Sequence, residues 1–399
     1  MMSSVYTGKR IVVGVTGSIA AFKVAGWVST LAKEEAQVSV VMTRSATQFI
    51  TPLTFSSLSG NKVHVDMFDA EGGETMAHIM LGREADLVIV APATANTIGN
   101  LAGGLAPDLL STTILATRAP VIVCPAMNSR MYTHPAVQNN LKRLVECNYT
   151  VIDPDEGVMA CKEDGKGRLP EWDQVDPIFQ KSISKQDLKA VKILITAGPT
   201  REAIDPARFL SNRSSGKMGY RLAEAAARRG AEVTLVSGPT ALAPPVGVRC
   251  VKVQSAVDMH AAVMQHAEEN KVIIKSAAVA DYRSREIAAE KIKKDKISEH
   301  LELARNPDIL FELGQRKKSG QLLVGFAAES SNLEVEGRKK LEAKNLDLIA
   351  VNNINSDDTG FETDNNQVLL LSANDAEMLP FTSKAQTSDL ILDRVCRLL

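Results

Sequence analysis

Residues 10–20 read R-I-V-V-G-V-T-G-S-I-A, and at 191–198 the same grammar returns as V-K-I-L-I-T-A-G. In the first copy an apolar, β-branched run meets a glycine loop, a helical pattern as far as Leu31 and the strand-like 37–42, Q-V-S-V-V-M. In the second, a polar loop is followed by the helical 217–229 and by A-E-V-T-L-V-S-G-P (231–239). Strand, glycine loop, helix, strand is the βαβ unit of a parallel sheet. Two such openings predict an α/β protein with two domains, both with mainly parallel sheets. The segment K-S-I-S-K-Q-D-L-K (181–189) is polar and lacks apolar periodicity. It reads as a linker, which sets the domains at 1–180 and 190–399.

Size and composition agree. At 399 residues the chain exceeds one ordinary domain, and 45% hydrophobic residues suffice for large cores. A formal net charge of −1 argues against coating nucleic acid. The apolar runs have strand length rather than membrane length, and M-M-S-S-V-Y-T-G-K-R has no hydrophobic segment of signal-peptide type. Five cysteines without a C-x-x-C pair suit free thiols in a reducing cytoplasm.

Polar groups in the first half recur where strands should end. Gly14, Gly17 and Ser18 lie between a strand and a helix, where exposed N–H groups favour a phosphate. The pattern is not G-x-G-x-x-G, and a plain strand–helix turn fits this loop equally well. Thr43 and Ser45 follow Val40–Met42, A-P-A-T-A-N (91–96) follows Leu87–Val90, and P-A-M-N follows Val121–Cys124. Each could be a helix cap, since Ser, Thr and Asn are preferred N-cap residues. Together they suggest one pocket, because ligands of open α/β sheets bind beyond the carboxyl ends of the strands.

The motifs T-G-S-I-A-A, A-P-A-T-A-N-T and P-A-M-N-x-x-M-Y resemble those of the flavin-dependent cysteine decarboxylases. The resemblance implies a flavodoxin-like fold, a homotrimer and FMN held by Gly17, Ser18, Thr43, Ser45, Pro92, Ala93, Thr94, Asn96 and Ser111. It implies that Asn128 holds the substrate carboxylate, with Met127 beside it. His78, in T-M-A-H-I-M-L-G (75–82), is the expected acid or base, a role suited to imidazole near neutral pH. Its apolar neighbours would also suit a structural histidine. The implied chemistry oxidises a cysteine thiol to a thioaldehyde, loses CO2 and reduces the resulting enethiolate. Cys161, in G-V-M-A-C-K-E-D-G-K-G-R-L-P (157–170), is the implied proton donor on a mobile flap. The family usually has glycine after this cysteine, whereas Lys162 stands here.

In the second half Arg208, Asn212, Ser214, Ser215, Gly216 and Lys217 cluster before a helix, as an anion site or as an ordinary cap. S-A-A-V-A-D-Y-R (276–283) ends a strand at Asp281, and E-K-I-K-K-D-K (290–296) is a basic run that a solvated loop would also explain. Lys340 and Lys344 are one helical turn apart and could face one anion. Lysines at three places suit a triphosphate.

N-R-S-S-G-K-M-G, A-A-V-A-D-Y and K-I-K-K resemble the phosphopantothenate–cysteine ligases. With the first half, the chain resembles the bifunctional decarboxylase–ligases of bacterial coenzyme A biosynthesis over nearly its whole length. A Rossmann-like ligase domain is implied, with CTP activating 4′-phosphopantothenate as an acyl-cytidylate that L-cysteine then attacks. The implied CTP contacts are Lys275, Ser276, Ala277, Asp281, Lys291, Asn306, Pro307, Asp308, Ile309, Phe326, Lys340 and Lys344. Asn212 is the implied catalytic residue holding the acyl-cytidylate, Arg208 and Ala278 contact substrate, and Asp281 lies near Mg2+. Where the family often has Asn-Asp, this chain has Asn352-Asn353. The implied assembly is a dodecamer, built from decarboxylase trimers and ligase dimers. Two other classes compete. A flavin-binding regulatory protein without catalysis is disfavoured by His78, Asn128 and Cys161. An NAD-dependent oxidoreductase is disfavoured by the missing dinucleotide fingerprint.

Overall fold

The computed structural model describes residues 4–68, 76–159, 162–293, 300–329, 331–353 and 363–399. The chain forms two compact units that divide between Ser184 and Lys185.

The first unit opens with β1 (Arg10–Val15), α1 (Ala21–Lys33) and β2 (Gln37–Met42). Next come α2 (Pro52–Ser59), the short β3 (Val63–His64), α3 (Ala77–Glu84) and β4 (Leu87–Ala93). They are followed by α4 (Ala95–Gly103), α5 (Leu109–Ala116), β5 (Val121–Pro125), α6 (Ser129–Tyr132), α7 (Pro135–Glu146) and β6 (Thr150–Val151). A hairpin of β7 (Asp155–Val158) and β8 (Asp164–Arg168) precedes α8 (Trp172–Ile183). Among the described residues the main sheet has the order β3-β2-β1-β4-β5-β6, and every pairing is parallel. Setting aside the two-residue β3, the five remaining strands follow the flavodoxin order, whose ligand crevice lies between the first and third. Here that crevice falls between β1 and β4.

The sequence explains these elements. All seven residues of β4 are buried, as expected of a strand covered on both faces. Helix α1 buries Ala21, Val24, Trp27, Val28 and Leu31, spaced by three and four residues on one face. The expected linker at 181–189 is a different structure. Helix α8 runs through Ile183, burying Val175 and Phe179 against Trp27 and Trp172. Burying one such aromatic contributes about 1.5–3 kcal/mol, so the helix continues as long as its apolar face has a core to cover. Beyond Lys185, Leu188 is fully buried in the core of the second unit and Asp187 bonds Arg229 at 2.8 Å. The polar composition of 181–189 therefore hides a helix end and the anchor of the next unit.

The second unit begins with β9 (Lys192–Ala197), the small hairpin of β10 (Arg201–Ala203) and β11 (Phe209–Ser211), and α9 (Lys217–Arg228). Then come β12 (Glu232–Ser237), β13 (Arg249–Lys252), α10 (Ala256–Ala267), β14 (Val272–Lys275), β15 (Tyr282–Ser284) and β16 (Leu303–Arg305). The remainder is α11 (Ile309–Arg316), β17 (Leu322–Glu329), α12 (Leu333–Ala343), β18 (Leu348–Asn353), β19 (Asn365–Asn366) and β20 (Val368–Leu371). It closes with β21 (Ala376–Met378), β22 (Thr382–Ser383) and α13 (Lys384–Leu398). The described main sheet is β13-β12-β9-β14-β17-β18-β20-β21, parallel as far as β18 and antiparallel at its last two pairings. Strand order reverses between β9 and β14, which places a ligand crevice at their carboxyl ends.

Candidate functional site

In the first unit four loops meet at the carboxyl edge of the sheet. Thr16, just beyond β1, donates its hydroxyl to the Pro92 carbonyl and accepts the Thr94 N–H at 3.0 Å. Thr94 in turn caps α4 by accepting from Thr97 N. After β2, the Thr43 N–H bonds the Val15 carbonyl at 3.0 Å. Gly17 lies so close to Ser45 that an added Cβ would stand 2.5 Å from the Ser45 Cβ. Glycine there lets the two loops touch. Beyond β5, Ala126 N bonds the Ala93 carbonyl at 3.1 Å, joining the P-A-M-N turn to the A-P-A-T loop. Gly17, Ser18, Thr43, Ser45, Pro92, Ala93, Thr94, Met127 and Asn128 are thus carried on neighbouring strand ends. Asn96 is exposed in the first turn of α4. Ser111 differs: it is buried, and its hydroxyl belongs to the capping box of α5 with Asp108.

Asn128 does two things at once. Its Oδ1 accepts from Arg130 N at 2.9 Å as the cap of α6, and its Nδ2 donates to the Glu163 carboxylate at 2.6 Å. The β7–β8 hairpin brings Glu163 there, since Met127 N bonds the Gly167 carbonyl at 3.0 Å and Lys166 pairs with Asp153 at 2.6 Å. Tyr132 donates to the same Asp153 at 3.1 Å. Hydrogen bonding from Lys166 holds the Asp153 carboxyl below its usual range. Cys161 lies outside the described residues. Lys162 adopts φ +63°, a left-handed conformation that favours glycine. The residue type that departs from the family pattern therefore stands where the backbone still has a glycine shape. His78 lies half-buried in α3, which packs on α5, and its imidazole has no hydrogen-bond partner among the described residues. Cys124 is buried and desolvation pushes its thiol far up, so it is not a reactive group.

In the second unit the ends of β9 and β14 are stitched together. Thr196 accepts Ala277 N at 3.1 Å, Thr200 accepts Ala280 N at 3.0 Å, and Ser276 donates to the Thr196 carbonyl at 2.7 Å. Asn212 Nδ2 donates to the Val279 carbonyl at 3.0 Å. Helix α9 can start close above this seam because its third residue is Gly219, whose added Cβ would lie 2.5 Å from the Ala197 Cβ. A cavity of about 300 Å³ results. Eight expected residues line it: Asn212, Lys275, Ser276, Ala277, Ala278, Asp281, Phe326 and Lys340. Burial pushes the Lys275 ammonium down to about 8, helped by the like charge of Lys344. Lys340 is paired with Glu329 at 2.5 Å.

Other expected residues flank the cavity without lining it. Lys344 pairs with Asp308 at 2.9 Å, and Asn306 donates to the Ala280 carbonyl at 2.8 Å beside Pro307. Ile309 is 1% exposed, so its side chain belongs to the core and only its backbone faces the loop. Arg208 belongs to a separate cluster built on Asp205, which also takes in the backbone of Ile292, the residue after Lys291. This buried carboxylate accepts the N–H groups of Ala207, Arg208 and Ile292 and the Arg208 Nε at 2.9 Å. The Arg208 guanidinium holds it well below the usual carboxylate range.

Residues 2–184 match the family model described as Flavoprotein, and residues 188–399 match that of the DNA/pantothenate metabolism flavoprotein C-terminal domain. The chain is 45% identical over 395 residues to the coenzyme A biosynthesis bifunctional protein CoaBC of Bacillus subtilis (strain 168), covering 98% of this chain and 97% of that one. It is 45% identical over 394 residues to the protein of the same name from Escherichia coli (strain K12), covering 97% of each. This chain belongs to that family. It is a bifunctional enzyme of coenzyme A biosynthesis, a decarboxylase and a phosphopantothenate–cysteine ligase. Among solved structures, the C-terminal domain of a CoaBC protein is 44% identical, covering 54% of this chain and 98% of that chain with a TM-score of 0.46. The FMN-dependent cysteine decarboxylase SpaF is 29% identical, covering 45% and 97% with a TM-score of 0.40.

Three polar lining residues escaped sequence reasoning as site residues, Asn352, Asn366 and Lys384, whereas Lys217 belongs to the cluster read as an anion site or a cap. Asn352 enters the sequence reading only as the neighbour of the departing Asn353, yet its buried Oδ1 has no hydrogen-bond partner among the described residues. That leaves an acceptor for a ligand donor. Lys384 sits in no motif, and only the packing of α13 against α9 brings it here.

Proposed function

We propose that this chain joins 4′-phosphopantothenate to L-cysteine at the expense of CTP, then decarboxylates the product to 4′-phosphopantetheine with FMN. The observation that most supports the ligase reading is the cavity at the β9/β14 switch, with four lysines and one aspartate in its lining. That charge excess complements a triphosphate with Mg2+, an ion that usually binds few carboxylates together with substrate phosphates. Asp281 is the lining carboxylate for it. The substrate carboxylate attacks the α-phosphorus of CTP and expels pyrophosphate. The cysteine amine then attacks the acyl carbon and expels CMP. Positioning and charge neutralisation are the protein's contribution. Asn212 orients the acyl-cytidylate, Phe326 lies against the base, and Lys275, Lys340, Lys344 and Lys291 neutralise the phosphates. Ser276, Ala277, Asn306, Pro307, Asp308 and Ile309 frame the nucleotide, and Arg208 and Ala278 contact the pantothenate substrate.

The crevice between β1 and β4 suits FMN, because Gly17 lets the β1 and β2 loops close together at its rim and the start of α4 faces the same edge. When bound, the flavin supplies the two-electron oxidation of the substrate thiol and the later reduction. Asn128 holds the carboxylate that leaves as CO2, His78 manages the early proton, and Cys161 donates the late one. The two halves, 1–180 and 190–399, work independently. The exposed apolar side chains Phe22, Phe49, Leu53, Met76, Ile79 and Met80 support burial in a homo-oligomer, with decarboxylase trimers and ligase dimers forming a dodecamer. Incubating the protein with 4′-phosphopantothenate, cysteine, CTP and Mg2+ should yield 4′-phosphopantetheine, CO2, CMP and pyrophosphate. Failure to form phosphopantothenoylcysteine would reject the ligase reading, and failure to release CO2 from added phosphopantothenoylcysteine would reject the decarboxylase reading.

A further inference from the structure

We propose that Lys384, together with Lys217, binds a phosphoryl group of a ligase substrate at the end of the cavity formed by the glycine loop before α9. This inference rests on the ligase reading above and adds to it a lysine from the far end of the chain.

The two lysines are the first residues of two long helices, α9 and α13, and both line the cavity. Lys384 is 5% exposed, an unusual burial for an ammonium group. Its Nζ donates to the Thr363 carbonyl, and its backbone N–H bonds the Asp364 carbonyl at 2.9 Å. The Asp364 carboxylate turns the other way, pairing with Lys217 Nζ at 2.6 Å while remaining largely exposed. Burial and the like charge of Lys217 push the Lys384 ammonium down to about 8. Two cations so placed repel each other, and an anion between them reverses the sign of that interaction. The N-terminal ends of the two helices add positive potential through their dipoles. The same cavity also offers uncharged groups able to hydrogen-bond in Ser214, Asn352 and Asn366. A phosphoryl group meets every requirement of this corner, being compact, doubly charged and rich in acceptors. It can come from the nucleotide triphosphate or from the 4′-phosphate of the pantothenate substrate, and kinetics separates the two.

The test uses the full-length protein with its flavin. The KM values for CTP, 4′-phosphopantothenate and cysteine are measured for wild type, Lys384→Gln, Lys384→Arg and Lys217→Gln. Losing a charged hydrogen bond to phosphate should raise one phosphorylated substrate's KM about 10- to 100-fold in both Gln variants, with the KM for cysteine unchanged. The substrate whose KM moves identifies the phosphate, and Lys384→Arg should recover most of the loss. A second measurement needs no substitution. Wild-type protein is acylated by an amine-reactive reagent with and without CTP or 4′-phosphopantothenate, and labelling at Lys384 is read by mass spectrometry. One of these ligands should protect Lys384. The proposal is overturned by unchanged KM values for both phosphorylated substrates. It is equally overturned if all three KM values rise together and Lys384 labels equally under every condition. Wild-type protein that forms no phosphopantothenoylcysteine with CTP is a distinct result, which removes the ligase reading and this inference with it.

Discussion

The side-chain amide of Asn128 donates a 2.6 Å hydrogen bond to the carboxylate of Glu163, a residue of the hairpin that covers the end of β5. In the proposed reaction the same amide receives the carboxylate of the substrate. Glu163 therefore occupies, with the same functional group, the position the substrate must take. Replacing it with alanine should lower the decarboxylase KM for phosphopantothenoylcysteine by about 3- to 10-fold, since a competing charged hydrogen bond is removed. Steady-state CO2 release checks this, and an unchanged or raised KM would show that Glu163 helps binding or is indifferent to it.

The left-handed backbone at Lys162 gives the hairpin a measurable strain. Glycine adopts this conformation at little steric cost, whereas a β-branched residue is a true outlier there. Lys162→Gly should preserve decarboxylation, and Lys162→Val should depress it at least several-fold by disturbing the turn. Equal rates in the two variants would mean that the turn conformation does not matter to the flap.

Gly17 supports a prediction about flavin occupancy. An added methyl group would meet Ser45 at a distance that real carbon atoms do not adopt, so Gly17→Ala must separate the β1 and β2 loops. Purified variant should show little flavin absorbance in the visible, lose decarboxylation and keep ligation. Full flavin content in the variant would place the cofactor away from this crevice.

Lys291 lies outside the cavity lining, beside the cluster built on Asp205. Lys291→Gln should slow acyl-cytidylate formation by about 10²–10³, the usual cost of removing one preorganised electrostatic contact, and leave decarboxylation intact. Pyrophosphate release is the readout. A rate within threefold of wild type would make the basic run a solvated loop.

The lowered lysines set a pH limit on ligation. Lys275 and Lys384 carry charge below about 8 and lose it above that value in the free enzyme. Because kcat/KM reports the ionisation of free enzyme, kcat/KM for CTP should be level below about pH 8 and fall as pH rises beyond it. Unperturbed lysines would hold the plateau to about pH 10. A profile measured from pH 6.5 to 10 distinguishes the two, and a plateau reaching the upper end would remove these ammonium groups from nucleotide binding.

Much of this molecule was legible in its local patterns. The runs at 10–20 and 191–198 announced parallel α/β units because a buried strand must be continuously apolar and its turn must admit a helix start. The motif around Asn128 was legible for a related reason, since the end of a core strand is where polar groups can reach a ligand. The two units divide within 181–189, but its polar residues mask both the last turn of α8 and the anchoring of Leu188. The side chain of Ile309 fills the core, a choice made by helix phase and not by motif, which leaves only its backbone for the expected nucleotide contact.

The sequence by itself determined the strands, the glycine loops and the polar residues that follow them, because these depend on backbone conformation and on periodicity over a few neighbouring residues. Only the tertiary structure decided which loops share a crevice. It set β1 beside β4 and β9 beside β14, laid Glu163 on Asn128, and carried Lys384 from the final helix to Lys217. The physical reason is range. Propensity and patterning act within one element, whereas contacts between distant segments follow from the order in which strands pair and from how each helix buries its apolar face.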